Sequence, residues 1–270
     1  MNILFIGGGN MASAMIGGLI RQRWPRKAIR VVEVAAPARR QLARKLKVKA
    51  RAALDADTAK AGCIVLAIKP QQMREAARAL APLLRSQLVI TIAAGIRVKD
   101  LSRWLGGYER IVRVMPNTPA LALAGISGLH ASRAVSPRER AAAQRILGAV
   151  GATLWFEREE DLDAITAISG SGPAYVFYFI EALEQAARDL GLAPGAARQL
   201  ALETFAGAAK LAGQSGDAPG ALRERVTSKG GTTERALASL EADRVRESIV
   251  RAVRAAASRS RELGDELGKD

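Results

Sequence analysis

Short apolar runs alternate with amphipathic stretches through the first half of the chain. Five of these runs are typical of strands: MNILFI at 1–6, AIRVVEV at 28–34, CIVLAI at 63–68, LVITIA at 88–93 and RIVRVM at 110–115. Helical patterns separate them, as in NMASAMIGGLIRQR and PARRQLARKLK. Because parallel strands need a crossover connection, this alternation predicts a doubly wound α/β sheet of Rossmann type.

The alternating pattern ends near residue 160. A strand at ISGLHA, a helix at 136–148 and a strand at ATLWF complete a predicted first domain of residues 1–160. From 161 to 270, long segments rich in alanine and leucine predict an all-helical second domain. Turn signals divide these helices: SGSGPA at 169–174, GLAPG at 191–195, GQSGDAPG at 213–220 and SKGGTT at 228–233.

The first strand runs directly into a glycine-rich turn and a helix, FIGGGNMASAMIGGL. Gly7, Gly9 and Ala12 match G-x-G-x-x-A, the dinucleotide-binding pattern. The first glycine allows the tight turn, the second admits a pyrophosphate, and the small third residue lets helix and strand pack closely. The pattern predicts a pyrophosphate at the helix N-terminus, whereas a glycine corner without a ligand is the alternative.

The residues expected at the adenosine end leave the cofactor open. Glu33 closes the second strand, where an acidic residue would hold the ribose 2′-hydroxyl of NAD. Arg39 and Arg40 follow it and could instead hold the 2′-phosphate of NADP. An ordinary exposed acid at the strand end is a third interpretation of Glu33.

Loops after the other strands predict the rest of a crevice. AIKP, IAAG and VMPNTPA all follow strands, and ligands of open α/β sheets bind at the carboxyl ends of strands. Lys69 could reach a cofactor there or stay in solvent. The single histidine, His130, is interpreted as structural, and no metal-ligand spacing is present. The scarcity of candidate acid or base residues is compatible with an imine substrate, because water can protonate an imine before it is reduced.

A second anion-binding pattern lies in the helical half, at VTSKGGTTERAL. Its glycines expose backbone amides, and Thr232 and Thr233 can cap the following helix and donate hydroxyl hydrogen bonds. A small carboxylate would suit this helix start, and a simple cap without a ligand is the alternative.

Composition narrows the class of protein. With 49% hydrophobic residues the chain is expected to fold, and no apolar run is long enough for a membrane span. The single cysteine, Cys63, lies in a strand-like run, is expected to be buried, and fits a cytoplasmic location without a targeting segment. The formal charge of +15 is spread along helices, so we expect solvated helix faces rather than a nucleic-acid partner.

Five motifs, in order and along the whole chain, resemble the pyrroline-5-carboxylate reductase family: FIGGGNMASAMIGGL, AIKP, VMPNTPALALAGISGL, ISGSGPAYVFYFIEAL and PGALRERVTSKGGTTERALASLE. The resemblance implies a Rossmann domain and a helical domain that intertwines with a second subunit, in a homodimer or a larger assembly of dimers. It implies hydride transfer from NADPH or NADH to the imine carbon of 1-pyrroline-5-carboxylate, giving L-proline.

The resemblance also implies site residues. Those carried over for the cofactor are Gly7, Gly9, Asn10, Met11, Ala12, Ala67, Lys69, Pro70 and Asn117. Those carried over for the substrate carboxylate are Ser228, Gly230, Gly231, Thr232 and Thr233, with the Thr233 hydroxyl near the substrate nitrogen.

This sequence departs from the family at Lys229, where the family usually has proline. Lysine gives up the fixed φ of proline and adds a charge, which puts the rigidity of the loop in doubt. Reduction of another small cyclic imine or a β-hydroxy acid on the same fold, a non-catalytic nucleotide-binding regulator, and a nucleic-acid binder are the rival interpretations.

Overall fold

The computed structural model describes residues 1–269, apart from the side chains of 56 and 57. Eight strands form one sheet: β1 (Ile3–Ile6), β2 (Ile29–Val32), β3 (Lys49–Arg51), β4 (Cys63–Leu66), β5 (Leu88–Thr91), β6 (Ile111–Met115), β7 (Gly125–Ala131) and β8 (Gly151–Trp155). Their order is β3-β2-β1-β4-β5-β6-β7-β8. Every neighbouring pair is parallel except β6 and β7. The predicted Rossmann-like sheet is confirmed.

Two details of the sheet were not predicted. Strand β3 is short and charged and lies at an edge, where basic side chains oppose pairing with another chain. The connection from β6 to β7 is a short 3-10 turn at Thr118–Ala122 rather than a crossover helix, so β7 runs antiparallel to β6.

Helices cover both faces of the sheet. They are α1 (Asn10–Arg21), α2 (Ala36–Leu46), α3 (Met73–Leu80), α4 (Val98–Trp104), α5 (Pro137–Leu147) and α6 (Asp161–Ile165). Because side chains alternate along a strand, β1 contributes Ile3 and Phe5 to one apolar cluster and Leu4 and Ile6 to another. The first cluster includes residues of α1 and α5, and the second includes residues of α3 and α4. Burial on both faces explains why these strands are continuous apolar runs.

The helical half contains α7 (Gly172–Asp189), α8 (Pro194–Ser215), α9 (Pro219–Arg225), α10 (Thr232–Ala242) and α11 (Val245–Leu267). Helix breaks coincide with all four predicted turn signals, and a further break precedes α11, where Arg244 has φ of 51°. No strand follows Trp155 in the part of the chain that the structure describes. Nor does any described helix combine the length and apolarity needed to cross a membrane.

Contacts divide the chain differently from the predicted boundary at 160. One unit comprises Met1–Ser171 together with the chain from Ala256 onward, and the other is Gly172–Ala255. The end of α11 joins the sheet unit because Ser260 donates a 2.7 Å hydrogen bond to the carboxylate of Asp163, and both residues are buried. Leu267 packs against the second apolar cluster. No sequence pattern predicted this return, because it depends on long-range contacts.

Adjacent glycines in α1 provide a test of how tightly this helix packs. A Cβ on Gly18 would lie 2.2 Å from the carbonyl oxygen of Ala149, whereas one on Gly17 would come no closer than 3.9 Å to any neighbouring atom. Gly18→Ala should therefore lower the free energy of unfolding by about 1–3 kcal/mol through overpacking. Gly17→Ala should raise it by about 0.5–1 kcal/mol, since alanine favours a helix. Denaturant unfolding of both variants measures the difference, and equal effects would contradict the packing of α1.

Candidate functional site

Gly7 follows β1 in a conformation that favours glycine. Its φ is 96°, and a Cβ would lie 2.4 Å from the carbonyl oxygen of Ala67, just after β4. The N–H of Gly7 donates to the carbonyl of Val32, the last residue of β2, at 2.8 Å. The turn therefore joins the ends of three neighbouring strands.

Gly9 begins helix α1 and leaves its N-terminus open. It is the N-cap, with extended backbone angles (φ −67°, ψ −170°), and no side chain caps the helix. A Cβ there would meet nothing within 4 Å. The amides of Asn10, Met11 and Ala12 belong to the first turn and have no acceptor within the helix. Ala12 is buried and packs in the first apolar cluster, so this helix start fits a pyrophosphate as the sequence pattern requires.

Glu33 lies directly beside the glycine turn. One carboxylate oxygen accepts a 2.8 Å hydrogen bond from the N–H of Gly8, and the other accepts a 2.7 Å bond from the N–H of Ala35. Arg39 donates through Nη1 to the carbonyls of Glu33 and Val34 at 2.8 and 2.7 Å. Glu33 is therefore not an ordinary exposed acid, and Arg39 supports the same loop.

The other cofactor candidates lie after β4 and β6. The N–H of Ala67 donates to the carbonyl of Ile6 at 2.8 Å, which holds this loop against β1. Lys69 is exposed and precedes the short 3-10 turn that starts at Pro70. Asn117 is buried, and its Oδ1 accepts a 2.9 Å bond from the N–H of Ile126, so one end of its amide is used to hold β7.

A feature that sequence reasoning missed reaches the same edge of the sheet. Residues Thr166–Gly170 form a π-helical turn, and a Cβ on Gly170 would lie 2.5 Å from the methyl carbon of Met115, the last residue of β6. Single π turns within helices occur frequently at functional sites. The serine and glycine run in SGSGPA was the available signal for this close approach.

The second cluster of candidates lies in the helical unit and is a tight turn. The N–H of Gly231 donates to the carbonyl of Ser228 at 3.0 Å, and Gly230 has φ of 73°. A positive φ at the third position is characteristic of a type II turn, in which proline is common at the second position. Lys229 occupies that second position, so a proline would fit the turn there.

The turn runs directly into α10. Gly231 is the N-cap, no side chain caps the helix, and Thr232 and Thr233 are its first two residues. The Oε2 of Glu234 accepts a 2.6 Å bond from the N–H of Gly230, an interaction that the sequence analysis missed. A Glu three residues after a helix N-cap is the signal for it. This exposed helix start presents amides and two hydroxyls, which is the donor set that a carboxylate needs.

Neither Cys63 nor His130 is placed to act as a catalytic base or nucleophile. Cys63 is fully buried, and burial raises the pKa of its thiol. His130 is hydrogen bonded to the carbonyl of Phe156 at 3.1 Å through Nδ1, as expected for a structural histidine. Among the side chains that the structure describes, no cluster of His, Cys, Asp and Glu could hold a metal ion. The candidate binding groups are thus backbone amides and Glu33 in the first unit, and backbone amides and hydroxyls in the second.

Family models match both halves of the chain. Residues 159–263 match a model described as pyrroline-5-carboxylate reductase dimerisation. Residues 2–95 match a model described as NADP oxidoreductase, coenzyme F420-dependent.

Similar proteins extend over nearly the full length. A pyrroline-5-carboxylate reductase of Pseudomonas aeruginosa is 44% identical over 273 residues, covering 99% of this chain and 98% of that protein. The structure of a pyrroline-5-carboxylate reductase from Coxiella burnetii has a TM-score of 0.91 at 39% identity, covering 97% of this chain and 98% of that one. A Plasmodium falciparum pyrroline carboxylate reductase with NADP bound has a TM-score of 0.86 at 28% identity and covers 98% of each chain.

The open space at Gly9 gives a test that separates ligand binding from folding. Because a Cβ meets no atom there and φ is compatible with alanine, Gly9→Ala should leave the melting temperature nearly unchanged. The added methyl would stand where the pyrophosphate approaches, so affinity for NAD(P)⁺ should fall roughly tenfold or more. Calorimetric titration measures it, with Gly17→Ala, about two turns along the same helix, as the control. Unchanged affinity in Gly9→Ala would contradict a pyrophosphate at this helix start.

Proposed function

This chain belongs to the pyrroline-5-carboxylate reductase family, and from that premise we propose how its residues carry out the family's reaction. The chain is an NAD(P)H-dependent oxidoreductase that reduces 1-pyrroline-5-carboxylate to L-proline, the last step of proline biosynthesis. The observation that carries this conclusion is the 44% identity over nearly the whole chain. When bound, the reduced nicotinamide supplies the hydride that reaches the imine carbon.

We propose that the glycine turn and the start of α1 hold the cofactor pyrophosphate. The uncapped helix start and the space at Gly9 support this role. Glu33 and Arg39 would then lie toward the adenosine ribose, since both follow β2. The loops containing Ala67, Lys69, Pro70 and Asn117 would lie toward the nicotinamide, because they follow β4 and β6, further along the sheet.

We propose that the turn from Ser228 to Gly231 and the start of α10 bind the substrate carboxylate. The amides at an uncapped helix start favour an anion, and the positive end of the helix dipole adds to that preference. The hydrogen bond from the N–H of Gly230 to the Glu234 carboxylate holds the turn in place, so Glu234 is a positioning residue. The Thr233 hydroxyl would contact the substrate nitrogen and hold the ring in place.

Proton supply does not require a histidine in this scheme. The imine nitrogen of the substrate takes a proton from water before reduction, and the resulting N–H needs only an acceptor. The Thr233 oxygen provides one, since a hydroxyl can both accept and donate. Cys63 is buried and His130 is structural, which is consistent with a reaction that uses no acid or base side chain of this protein.

The chain forms a homodimer through the helical unit, in agreement with its match to the dimerisation model. Within the described residues of that unit, only Ala197 and Ala201 are buried. Large apolar side chains on α7 and α8 are exposed instead: Val176, Phe177, Tyr178, Leu183, Leu200, Leu202 and Leu211. An exposed apolar surface of this kind is typical of a protein–protein interface.

We also propose a cytoplasmic location. The single cysteine is buried as a free thiol, so this chain needs no oxidising compartment for its fold.

The reaction and the proposed role of Thr233 can be tested in one assay. Oxidation of NADH and of NADPH is followed with and without 1-pyrroline-5-carboxylate, together with proline formation. Thr233→Ala should lower kcat/KM for the substrate roughly 10- to 100-fold, since it removes a hydrogen bond to a charged group. Thr233→Ser should retain most of the activity, and both variants should bind the cofactor normally. No substrate-dependent turnover by folded wild-type protein would contradict the function, and full activity of Thr233→Ala would contradict the role of Thr233.

Lys229 provides a second test of the substrate turn. Its backbone N–H donates no hydrogen bond to a described residue, so proline loses nothing at this position. Lys229→Pro should leave kcat similar and lower the substrate KM about two- to fivefold, because it stiffens the turn by about 0.4–1 kcal/mol. Steady-state kinetics measures both constants. A large loss of activity would show that the lysine side chain itself contributes to the site.

A further inference from the structure

We propose that Glu33 makes this reductase prefer NADH over NADPH, because its carboxylate is fixed where the 2′-phosphate of NADPH would lie. This inference rests on the proposed cofactor site at the glycine turn. It concerns only the discrimination between a ribose 2′-hydroxyl and a 2′-phosphate.

The carboxylate of Glu33 is held by two backbone amides. Its Oε2 accepts from the N–H of Gly8 at 2.8 Å, and its Oε1 accepts from the N–H of Ala35 at 2.7 Å. A carboxylate oxygen can accept two hydrogen bonds, so each oxygen keeps one free lone-pair direction. Two acceptors at the end of the second strand match the two hydroxyls of an adenosine ribose.

The surrounding turn prevents this carboxylate from moving away. A Cβ on Gly8 would lie 2.5 Å from Cδ1 of Leu42 and 3.3 Å from Cβ of Glu33, so the turn packs against the Glu33 side chain. Gly8 is buried, and swinging the carboxylate aside would leave its N–H without this acceptor. Glu33 therefore cannot make room for a phosphate without loosening the turn that binds the pyrophosphate.

The neighbouring cations oppose this effect but do not outweigh it. Glu33 is the only acidic residue between Arg21 and Arg51, a stretch with twelve lysines and arginines. Arg39 uses Nη1 to hold the carbonyls of Glu33 and Val34, and Arg40 is exposed. An exposed cation such as Arg40 attracts a phosphate weakly because salt screens it, whereas the fixed carboxylate would repel a 2′-phosphate at hydrogen-bonding distance. The basic stretch thus attracts either cofactor, and Glu33 selects between them.

The cofactor named for the related proteins is NADP, so the proposed preference rests on this chain's own residues. The Plasmodium falciparum structure has NADP bound, and the model that matches residues 2–95 is described as an NADP oxidoreductase. The carboxylate bonded to the glycine turn is therefore the feature that sets the expected preference here.

Binding without substrate tests the proposal directly. Calorimetric titration of the full-length protein should give at least about tenfold tighter binding of NAD⁺ than of NADP⁺, a difference of about 1.4 kcal/mol. Glu33→Gln removes the charge at nearly constant size and should tighten NADP⁺ about tenfold or more while weakening NAD⁺. The matched control is Glu157→Gln. Glu157 lies two residues after the end of β8, its side chain is 86% exposed, and its substitution should change neither affinity.

A second measurement does not depend on the variant folding. In the wild-type protein, 5′-AMP should displace bound NADH more effectively than adenosine 2′,5′-bisphosphate, since the two differ only in the 2′-phosphate. Equal or tighter binding of NADP⁺ or of the bisphosphate would overturn the proposal. An unchanged ratio of affinities in folded Glu33→Gln would overturn it as well.

These titrations, together with the assay of proline formation, distinguish a failure of this proposal from a failure of the proposed function. Proline formation with NADPH preferred over NADH would leave the function intact and refute the role of Glu33. Failure of folded protein to bind either cofactor would refute both.

Discussion

The close approach of Gly7 to the end of β4 is the constraint on which the rest of the site depends. With φ of 96° and room for no Cβ against Ala67, this residue joins the ends of β1, β2 and β4 through the backbone alone. Helix α1 begins two residues later at its N-cap, Gly9, which has no side chain to cap it, so the helix N-terminus stays uncapped. The same turn brings the N–H of Gly8 within hydrogen-bonding distance of Glu33. One turn therefore positions both the anion site and Glu33, the residue proposed to select the cofactor.

Much of the fold was predictable because buried strands have a recognisable local sequence pattern. Strands β1, β4 and β5 are buried on both faces and therefore appear as continuous apolar runs. Strand β3 carries no such run, since it is a short edge strand with Lys49 and Arg51. The return of α11 was also hidden, because the bond between Ser260 and Asp163 joins residues 97 positions apart.

The candidate sites also contain features that the sequence predicted and features that it did not. Glycines at Gly7, Gly9 and Gly230 were recognisable because each serves a local backbone geometry. The hydrogen bonds that hold these two turns were not predicted, and both involve an acidic residue: Glu33 accepts from the N–H of Gly8, and Glu234 accepts from the N–H of Gly230. A sequence pattern identifies a turn, whereas the side chain that holds it depends on how the chain folds around it.

Hydride transfer to the imine carbon is the central claim, and isotope transfer tests it most directly. The protein is incubated with 1-pyrroline-5-carboxylate and NADH carrying deuterium at both C4 positions, and the proline is analysed by mass spectrometry and NMR. We expect proline that is one mass unit heavier, with deuterium at C5. Proline formed without deuterium, or labelled at another carbon, would contradict the account.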